Sequence, residues 1–538
     1  IPQSLAYALL AGMPAQAGLY ASIAPLVVYA VLGSSSTLAV GPAAVTSLMT
    51  AATLGGLVLG QGVSYLDAAL WLALLNGAML LLMGVLRLGF VAHFLSHPVV
   101  SGFVSASGLL IAASQLKHLV GLPLQGDTLW ALAASLPSAL GRWHGLTAAV
   151  GLSVLAFLIL ARRHVKPMLR RWGVSPFAAD LGGKAAPVLA LILSTGLAWW
   201  FGLAEHGLKV VGDVPQGLPN LTFPSWTPQT LSLLQAMWMP ALLLALVGFV
   251  ESVSVGQSLA ARRRERIDPD AELRALGASN MAAGLTGGFP VTGGFSRSVV
   301  NFDAGARTPA AGLYTALGLM LAALFLTPAL YHLPQATLAA TIVVAVLTLV
   351  DFGAFGRTWR YARADFMALA LTFGLTLMVG VEAGLVTGVA TSVLLLLYRS
   401  SRPHIATVGQ VPGTEHYRNV LRHSVQTQAH VLGLRVDESL YFANARYLED
   451  HIAQAVAQQP LVTQVVLQCS AINDIDASAL ESLEAINTRL REAGVGFHLS
   501  EVKGPVMDKL QRSHLLQDLH GQVFLTHHQA VEALKQAL

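Results

Sequence analysis

The chain has 538 residues, of which 54% are hydrophobic and 11% are charged, and its mean hydropathy is +0.61. Soluble domains carry about 25% charged residues, so this composition excludes a wholly soluble protein, and its hydrophobicity excludes a disordered one. The charges are unevenly distributed, with 36 charged residues in positions 1–402 and 24 in positions 403–538. We therefore predict a transmembrane domain over residues 1–402 and a soluble domain over residues 403–538.

The formal net charge of +4 divides into +8 on the predicted membrane domain and −4 on the soluble domain. A basic excess in short membrane loops sets orientation, so it does not indicate nucleic-acid binding. Cys469 is the only cysteine, which excludes a disulfide framework and cysteine-based zinc or iron–sulfur sites. The histidines form no ligand pattern, and we expect neither a metal nor a cofactor.

Apolar runs recur from the first residue to about Tyr398. They predict fourteen segments: Ile1–Gly12, Ala15–Leu32, Ala39–Ala52, Leu66–Leu86, Phe94–Leu116, Gly145–Ala161, Ala185–Leu203, Ala236–Leu259, Ala271–Gly287, Ser296–Ala304, Ala310–Leu330, Gln335–Val350, Phe366–Val381 and Ala383–Leu397. The first is too short to span a bilayer and starts without an initiator methionine, so we expect a preceding N-terminal piece.

Loop charge predicts the orientation of these segments. The four basic clusters, which lie at 162–171, 262–266, 357–363 and 399–402, all follow even-numbered segments and therefore share one side. That side is predicted to be cytoplasmic, together with both termini and the soluble domain.

The third and tenth segments break the hydrophobic pattern. In "TLAVGPAAVTSLM" a short β-like run meets Gly41 and Pro42 before a helical run, and in "GGFPVTGGFSRSVVN" a glycine-rich run leads into Phe295, Ser296 and Arg297. Non-helical backbone is tolerated at membrane depth only where protein or a water-filled cavity surrounds it. Interrupted segments seven apart are typical of a duplicated seven-segment unit, whose odd number inverts the second copy.

Two half-helices whose N-termini meet would direct free N–H groups and positive dipole ends at one position, which attracts an anion. Arg297, in the first turn of the second half-helix, adds a full charge there. The alternative is that the glycines only permit close helix packing and that Arg297 extends toward the membrane surface.

Glu251, in "ALVGFVESVSVGQSLA", is the only acidic residue deep in a long apolar segment. A buried, unpaired carboxylate takes up a proton, so Glu251 is our candidate for proton coupling. The alternative is a structural ion pair with Arg297 or a hydrogen bond to Ser252 or Ser254. Gln3 and Tyr7, one turn apart in the first segment, either contact substrate or make ordinary interhelical hydrogen bonds.

The soluble domain alternates β-branched runs with amphipathic helical patterns, which predicts one small α/β domain. The predicted strands are Val431–Val436, Val462–Gln468 and Gly494–Leu499, and the predicted helices are Ala443–Ala457, Ala477–Glu492 and Ala530–Leu538.

With these motifs the sequence resembles the sulfate permease (SulP, solute carrier 26) family of anion transporters. The resemblance covers nearly the whole chain, through "IPQSLAYALLAGMPAQAGLYAS", "VGPAAV", "SHPVVSGF", "GDVPQGLP", "GFVES" and "GGFSRSVVNFDAGARTP". The soluble domain resembles the STAS domain of these transporters through "LRVDESLYFANA" and "VVLQCSAINDIDASALESL".

The resemblance implies an α-helical polytopic fold of fourteen transmembrane segments in two inverted seven-segment repeats. These form core and gate domains, usually in a homodimer, and substrate moves by an elevator-like shift of the core. By position, the resemblance implies a substrate site formed by Gln3, Tyr7, Pro42, Ala43, Phe295, Ser296 and Arg297, with Glu251 in the eighth segment.

Three positions depart from the family pattern. Sodium-coupled bicarbonate members have a threonine one turn after the acidic residue, where this chain has Val255, so proton coupling is favoured over sodium. Ala43 stands where some members have phenylalanine, which permits a larger anion such as a dicarboxylate. Ser478 matches a phosphorylated serine of related proteins and is a possible regulatory residue, but Ala479 replaces the following glycine, so phosphoregulation is unsupported.

The sequence thus predicts a secondary active transporter, not an enzyme, in the inner or plasma membrane, coupled to H+ and carrying sulfate, bicarbonate or a dicarboxylate. Two alternatives remain open, an uncoupled anion channel or exchanger and a nucleobase–proton symporter of the same fold. No nucleophile–base pair, phosphate loop or metal-ligand set indicates catalysis.

Overall fold

The computed structural model describes residues 1–57, 63–93, 96–124, 126 and 128–536. It divides into two compact units, Ile1–Ser392 and Val393–Leu538. The division falls within a single helix, and the domain boundary between residues 402 and 403 stays a prediction from composition.

The first unit is helical apart from two very short strands, β1 (Val40–Gly41) and β2 (Thr292–Gly293). The helices, the last of which extends into the second unit, are α1 Pro2–Leu10, α2 Ala15–Leu32, α3 Ala44–Gly55, α4 Tyr65–Val85, α5 His97–Ser114, α6 Leu116–Leu119, α7 Leu129–Ala139, α8 Gly145–Arg171, α9 Pro176–Lys184, α10 Ala186–Trp200, α11 Thr230–Arg263, α12 Pro269–Leu285, α13 Phe295–Asp303, α14 Ala311–Phe325, α15 Gln335–Leu347, α16 Phe352–Tyr361, α17 Arg363–Met378 and α18 Val381–Ser401.

Within the described ranges, seven helices are long and apolar enough to cross a membrane, and three shorter helices are also apolar. The prediction of a polytopic α-helical membrane protein is therefore confirmed. Each of the fourteen predicted segments overlaps an α-helix of the structure, although Phe94, at the start of the fifth, lies outside the described residues.

The helix bounds differ from the apolar runs where polar residues continue a helix. Helix α8 runs to Arg171, beyond the predicted end at Ala161, and α11 begins at Thr230, before the predicted start at Ala236. Hydropathy marks only the part of a helix at hydrocarbon depth, whereas backbone hydrogen bonding continues into the polar interface. Helices α7, α9 and α16 lie between predicted segments and were not predicted.

Helices α4 and α12 approach closely because glycines face each other between them. A Cβ added to Gly77 would lie 2.8 Å from the carbonyl oxygen of Gly277, and a Cβ added to Gly277 would lie 2.7 Å from the amide nitrogen of Leu81. Small residues permit such backbone contact in membrane proteins, where apolar burial does not drive helices together.

Glu272 fixes the start of α12 against the end of α2. Its carboxylate is buried and accepts hydrogen bonds from the Tyr29 hydroxyl at 2.9 and 3.0 Å, from the Ser34 amide and hydroxyl at 2.9 and 2.7 Å, and from the Ser35 amide at 3.1 Å. Several donors compensate the loss of hydration of this buried carboxylate.

The second unit contains a six-stranded sheet in the order β4-β3-β5-β6-β7-β8, in which β5 to β8 run parallel and β3 pairs antiparallel with both neighbours. Its strands are β3 Ile405–Gln410, β4 Tyr417–Asn419, β5 Val431–Val436, β6 Gln464–Gln468, β7 Gly496–Ser500 and β8 Val523–Phe524, and its helices are α19 Ala445–Ala457, α20 Ala477–Glu492, α21 Gly504–Leu510, α22 Leu515–Asp518 and α23 His527–Gln536. The predicted small α/β domain is confirmed.

The predicted strands and helices of this domain correspond to β5, β6, β7, α19, α20 and α23. Residues 537 and 538, the end of the last predicted helix, lie outside the described residues. His527 docks α23 on the sheet through a 2.9 Å hydrogen bond between its Nδ1 and the Ser500 hydroxyl. Burial lowers the pKa of His527 to about 4, so the ring is neutral at pH 7.

Ser478 lies exposed in the first turn of α20. The helix is capped by Asp476, whose carboxylate accepts a 2.8 Å hydrogen bond from the Ala479 amide. The position of Ser478 is therefore accessible, and its regulatory role stays a prediction.

The α4–α12 contact generates a stability prediction. Gly277→Ala should lower the free energy of unfolding by roughly 1–3 kcal/mol, because the new methyl group meets backbone atoms that cannot rotate away. Gly318→Ala, at a glycine of α14 with open space around its Cβ position, is the matched control and should leave stability unchanged or slightly raised. Thermal unfolding of both purified variants in the same detergent measures the difference, and equal midpoints would contradict the close-contact interpretation.

Candidate functional site

The two broken segments meet as an antiparallel pair of strands. Val40 pairs with Gly293 and Gly41 pairs with Thr292. Glycine and proline interrupt the helical pattern at these points, so each segment is extended for two residues before its helix begins. The pairing brings the starts of α3 and α13 to the same place.

Neither half-helix has a side-chain cap. Helix α3 follows Ala43 and α13 follows Gly294, and the side chain of neither residue can accept a hydrogen bond from the first turn of its helix. The first N–H groups of a helix have no partner within it, and together with the helix dipole they carry partial positive charge. Two such ends at one crossing form a position that favours an anion.

Arg297 lies in the first turn of α13 and contacts α1. Its Nη2 donates a 3.1 Å hydrogen bond to the Ser4 hydroxyl, which is 2.8 Å from the Ser22 hydroxyl of α2. The Ser22 hydroxyl in turn donates a 2.8 Å hydrogen bond to the carbonyl of Gly18. The guanidinium is therefore positioned by neutral hydroxyl groups of the first two helices.

The guanidinium of Arg297 also packs against β1 of the other broken segment. A Cβ added to Gly41 would overlap its Nη1 atom, whereas a Cβ added to Gly294 would meet only the Cβ of Ala43, at 4.0 Å. Glycine at 41 is thus a steric requirement for the observed position of Arg297.

Hydroxyl groups of α11 and β2 fix the second strand. The Thr292 hydroxyl donates a 2.7 Å hydrogen bond to the carbonyl of Gly248 and lies 2.7 Å from the Ser252 hydroxyl. The amide of Gly293 donates to Ser252 at 2.9 Å. These contacts satisfy backbone groups that the short strand pair leaves without a ladder partner.

An amide network holds the segment that precedes β2. The Asn280 side chain accepts a 2.9 Å hydrogen bond from the amide of Val291 and donates one of 2.9 Å to its carbonyl. Asn76 donates to the same Asn280 at 2.9 Å. Helices α4 and α12 thereby fix the backbone that leads into the crossing.

Polar groups of α13 bind the segment that precedes β1. The Ser298 hydroxyl donates to the carbonyl of Gly294 at 2.7 Å and accepts from the amide of Ala39 at 3.0 Å. Asn301 donates from its side chain to the carbonyl of Thr37 at 3.1 Å. The two broken segments are consequently cross-linked by side chains as well as by their strand pair.

The predicted site residues lie on the elements that form this crossing. Pro42 and Ala43 are buried between β1 and α3, and Gln3 and Tyr7 lie on α1, the helix whose Ser4 binds Arg297. Phe295 and Ser296 form the first turn of α13, but their side chains lie outside the described part of the chain.

Glu251 lies on α11 and faces apolar surroundings. Its Oε2 atom is buried and has no hydrogen-bond partner within the described residues. It lines a cavity of about 20 Å³ whose other lining residues are all apolar: Val45, Val99, Val100, Phe103, Val104, Val247, Val250 and Leu385. A cavity of this volume can hold about one water molecule.

The alternatives considered for Glu251 do not appear in the structure. Among the residues that it describes, Glu251 forms no ion pair with Arg297, and the neighbouring Ser252 hydroxyl bonds to Gly248 and Thr292 instead. Val255, one turn further on, is buried and offers no oxygen ligand. No group of three or more His, Cys, Asp or Glu suited to a metal occurs in the described ranges.

Sequence reasoning missed Ser4, Ser22, Thr292 and Ser298, the hydroxyl residues that hold the crossing together. Their partners are distant in sequence, as for Ser4 and Arg297, which are 293 positions apart. The sequence could have pointed to Ser4 alone, because it follows Gln3 on the helix that was predicted to contribute to the site.

A helical membrane unit with two paired broken segments and an uncapped half-helix after each defines a membrane transporter of the discontinuous-helix type. The chain belongs to the sulfate permease family: the family profile matches residues 1–372, and the STAS domain profile matches residues 422–530.

Named relatives span nearly the whole chain. The chain is 36% identical over 541 residues to "Probable sulfate transporter MT1781" of Mycobacterium tuberculosis (strain CDC 1551 / Oshkosh), covering 99% of this chain and 93% of that one. It is 32% identical over 549 residues to "Sulfate transporter 4.1, chloroplastic" of Arabidopsis thaliana, covering 100% and 78%.

Solved structures show the same fold. The murine Solute Carrier 26 family member A9 anion transporter, in its inward-facing state, matches with a TM-score of 0.86 and 24% identity, covering 100% of this chain and 89% of that one. The transmembrane domain of the cyanobacterium bicarbonate transporter BicA matches with a TM-score of 0.58 and 20% identity, covering 73% and 93%.

The protein is therefore a multi-pass membrane anion transporter of the sulfate permease family with a STAS domain, and it is not an enzyme. The predicted family and transporter class are confirmed. Membership of this family also decides against the nucleobase symporter considered from the sequence.

The contact between Gly41 and Arg297 generates a second prediction. Gly41→Ala should displace the guanidinium and raise the half-saturating sulfate concentration for uptake into proteoliposomes at least tenfold, about 1.4 kcal/mol of lost binding. Gly294→Ala, at the residue just before α13, has room for its methyl group, whose closest described neighbour is the Ala43 Cβ at 4.0 Å, and should change this concentration less than threefold. Equal effects of the two variants would show that the position of Arg297 does not govern uptake.

Proposed function

We propose that this protein is a secondary active, proton-coupled transporter of sulfate in the inner or plasma membrane. The names of the relatives, which describe sulfate transporters in a bacterium and a plant, support sulfate as the first candidate substrate. Bicarbonate and C4-dicarboxylates are the competing candidates, the latter because the small side chain of Ala43 at the crossing permits a larger anion.

The observation that carries the proposal is the pairing of β1 with β2, which puts the uncapped starts of α3 and α13 beside Arg297. In the proposed mechanism the anion lies between these two helix ends. Their N–H groups donate hydrogen bonds to it, and the guanidinium supplies the full positive charge that two partial charges cannot. The protein thereby replaces the hydration shell that sulfate loses on entry.

The remaining predicted residues would complete the site around the anion. Gln3 and Tyr7 on α1 would offer polar side-chain groups from the side of Ser4, and Pro42 would fix the backbone at the start of α3. Phe295 and Ser296 would contribute the first-turn N–H groups of α13, which belong to their backbone and follow from the bounds of that helix.

Glu251 is proposed to carry the coupled proton. A carboxyl oxygen that faces an apolar cavity and lacks any described partner favours the protonated form, and exposure to water favours the ionised form. A shift of α11 relative to its neighbours would move the carboxyl group of Glu251 between the apolar cavity and water. Proton uptake would thereby neutralise one charge when the anion crosses the membrane.

The larger architecture is proposed from the family. We propose fourteen transmembrane segments in two inverted repeats, divided into core and gate domains that move as an elevator, and a homodimeric assembly. The seven-segment interval between the two broken segments supports the repeats. The fourteen-segment prediction puts all four basic clusters on one side, which supports a cytoplasmic STAS domain and cytoplasmic termini.

The role of Arg297 is tested by its removal. Arg297→Ala should raise the half-saturating sulfate concentration at least tenfold, because the anion loses the full positive charge that the guanidinium supplies at the crossing. Arg307→Ala removes an exposed arginine from the same stretch and should leave uptake unchanged. Radiolabelled sulfate uptake into proteoliposomes measures both, and an Arg297→Ala protein with unchanged rate and affinity would refute the proposed site.

Proton coupling is tested at Glu251. An inward gradient of one pH unit should raise sulfate accumulation about tenfold per coupled proton, equivalent to about 1.4 kcal/mol. Glu251→Gln should abolish this gain, since an amide cannot be protonated in this range, and Glu205→Gln, at an exposed surface carboxylate, should retain it.

A channel would give a different result in the same vesicles. Sulfate flux through an uncoupled channel moves no protons, so a pH-sensitive dye inside the vesicles should report no change during uptake. Gradient-driven accumulation retained in Glu251→Gln would instead show that another group carries the proton. Competition of unlabelled bicarbonate, oxalate and C4-dicarboxylates against labelled sulfate at two pH values identifies the preferred anion.

A further inference from the structure

A larger cavity, of about 250 Å³, lies away from the crossing, between the ends of several helices of the membrane unit. It is formed where α6 ends, where α8 begins, along the loop after α10 and at the start of α15. Among the described residues none of the predicted substrate-site residues lines it. The cavity is therefore separate from the proposed transport site.

The side chains around this cavity are strongly basic. Lys117, Arg142 and Lys209 line it together with His118 and His144, and no carboxylate belongs to its lining within the described ranges. None of the three cationic side chains has a hydrogen-bond or ion-pair partner in that part of the chain. Three like charges around one water-accessible cavity repel one another, and a bound anion removes that repulsion.

The wall of the cavity is fixed by hydrogen bonds and by glycine. The Nδ1 atom of His144 lies 2.8 Å from the Thr147 hydroxyl. It also accepts a 3.3 Å hydrogen bond from the Thr147 amide, and this bond caps the start of α8. Gly121 has a positive φ angle of 70°, and a Cβ added to it would lie 2.8 Å from the Cβ of His144. Gly207 has a positive φ angle of 87°, and a Cβ added to it would lie 3.1 Å from the Nε2 of His144. Side chains at either glycine would crowd this histidine.

The loop that carries Lys209 is anchored on α15. The amide of Gln335 donates a 3.0 Å hydrogen bond to the carbonyl of Lys209, and its side chain donates at 3.3 Å to the carbonyl of Val210. These hydrogen bonds hold the backbone of Lys209 at the edge of the cavity, and its side chain remains exposed.

Exposed tryptophans place the cavity near a membrane interface. Trp143, between Arg142 and His144, is 60% exposed, and Trp130 on α7 is 68% exposed. Exposed tryptophan at helix ends is typical of the headgroup level of a bilayer, where phosphate groups of lipids and dissolved anions are both within reach. A volume of 250 Å³ suits a small anion with some of its water, below the range of most drug-sized ligands.

We propose that this cavity is a second anion site, which binds a tetrahedral oxyanion group of the phosphate and sulfate class. The group is either a dissolved ion or the headgroup of an anionic lipid, because both present the same charged oxygens to Lys117, Arg142 and Lys209. Binding at this site does not depend on proton coupling or on the proposed role of Arg297.

The test removes the three charges from the full-length protein as Lys117→Gln, Arg142→Gln and Lys209→Gln together. The matched control removes three exposed charges from the distal half of α8 as Arg162→Gln, Arg163→Gln and Arg170→Gln. A third protein with Lys117→Arg, Arg142→Lys and Lys209→Arg keeps the charges. All three are made in the native and in the Arg297→Ala background, so that the proposed transport site does not contribute to the difference.

Two probes separate the sources of the oxyanion. In phosphatidylcholine nanodiscs, equilibrium binding of labelled inorganic sulfate measures the dissolved ion. In detergent, native mass spectrometry measures how many molecules of dioctanoyl phosphatidylglycerol bind, with dioctanoyl phosphatidylcholine as the zwitterionic reference lipid. For at least one probe, the triple glutamine variant should bind one equivalent less or at least tenfold more weakly, and the control and charge-retaining proteins should bind normally.

The outcomes decide the proposal and the source of the group. Loss confined to the sulfate probe identifies a dissolved anion, and loss confined to phosphatidylglycerol identifies a lipid headgroup. Equal binding of both probes by the triple glutamine variant and its control overturns the proposal. A variant that unfolds would show an altered thermal midpoint, and single substitutions of Lys117, Arg142 and Lys209 then give the same comparison in smaller steps.

Discussion

Backbone groups at membrane depth must be hydrogen bonded within the protein, and in this chain that constraint is concentrated at the crossing of β1 and β2. The strand pair provides some of the partners, and hydroxyl and amide side chains such as Ser252, Asn280 and Ser298 provide others. The residues that precede α3 and α13, Ala43 and Gly294, have no side-chain acceptor, so the first turns of both helices are left without caps. The crossing is therefore stabilised without using the first-turn N–H groups that the proposed mechanism assigns to the anion.

The features that could be predicted from the sequence are those with a local signal. Apolar runs predicted every long helix of the membrane unit, and Gly41 with Pro42 marked one break, because glycine and proline alter the backbone where they stand. Helices α7, α9 and α16 and strands β3, β4 and β8 carry weaker local patterns. The contact between Ser4 and Arg297 joins residues 293 positions apart, and no pattern within one segment reports such a pair. The site was therefore predictable by its elements but not by its network.

Some of the 50 glycines of the chain have a structural explanation in close helix packing. A Cβ on Gly18 would overlap the carbonyl oxygen of Ser4, and one on Gly277 would come within contact of the α4 backbone. Close approach of α1 to α2 is what puts the Ser4 hydroxyl beside Ser22 and within reach of Arg297. The close approach that Gly18 permits thereby contributes to the geometry of the candidate site.

The positions of Arg297 and Glu251 explain why neutral hydrogen-bonding groups surround the crossing. In the proposed mechanism, a carboxylate paired with Arg297 would occupy the position of the anion and would have to be displaced at a cost each time substrate binds. Here the described partner of Arg297 is the hydroxyl of Ser4, which orients the guanidinium without cancelling its charge. Glu251 lies apart, against apolar side chains and without a described partner. In the proposed mechanism, the absence of a salt bridge between Arg297 and Glu251 leaves the guanidinium available to the anion and the carboxyl group available to the proton.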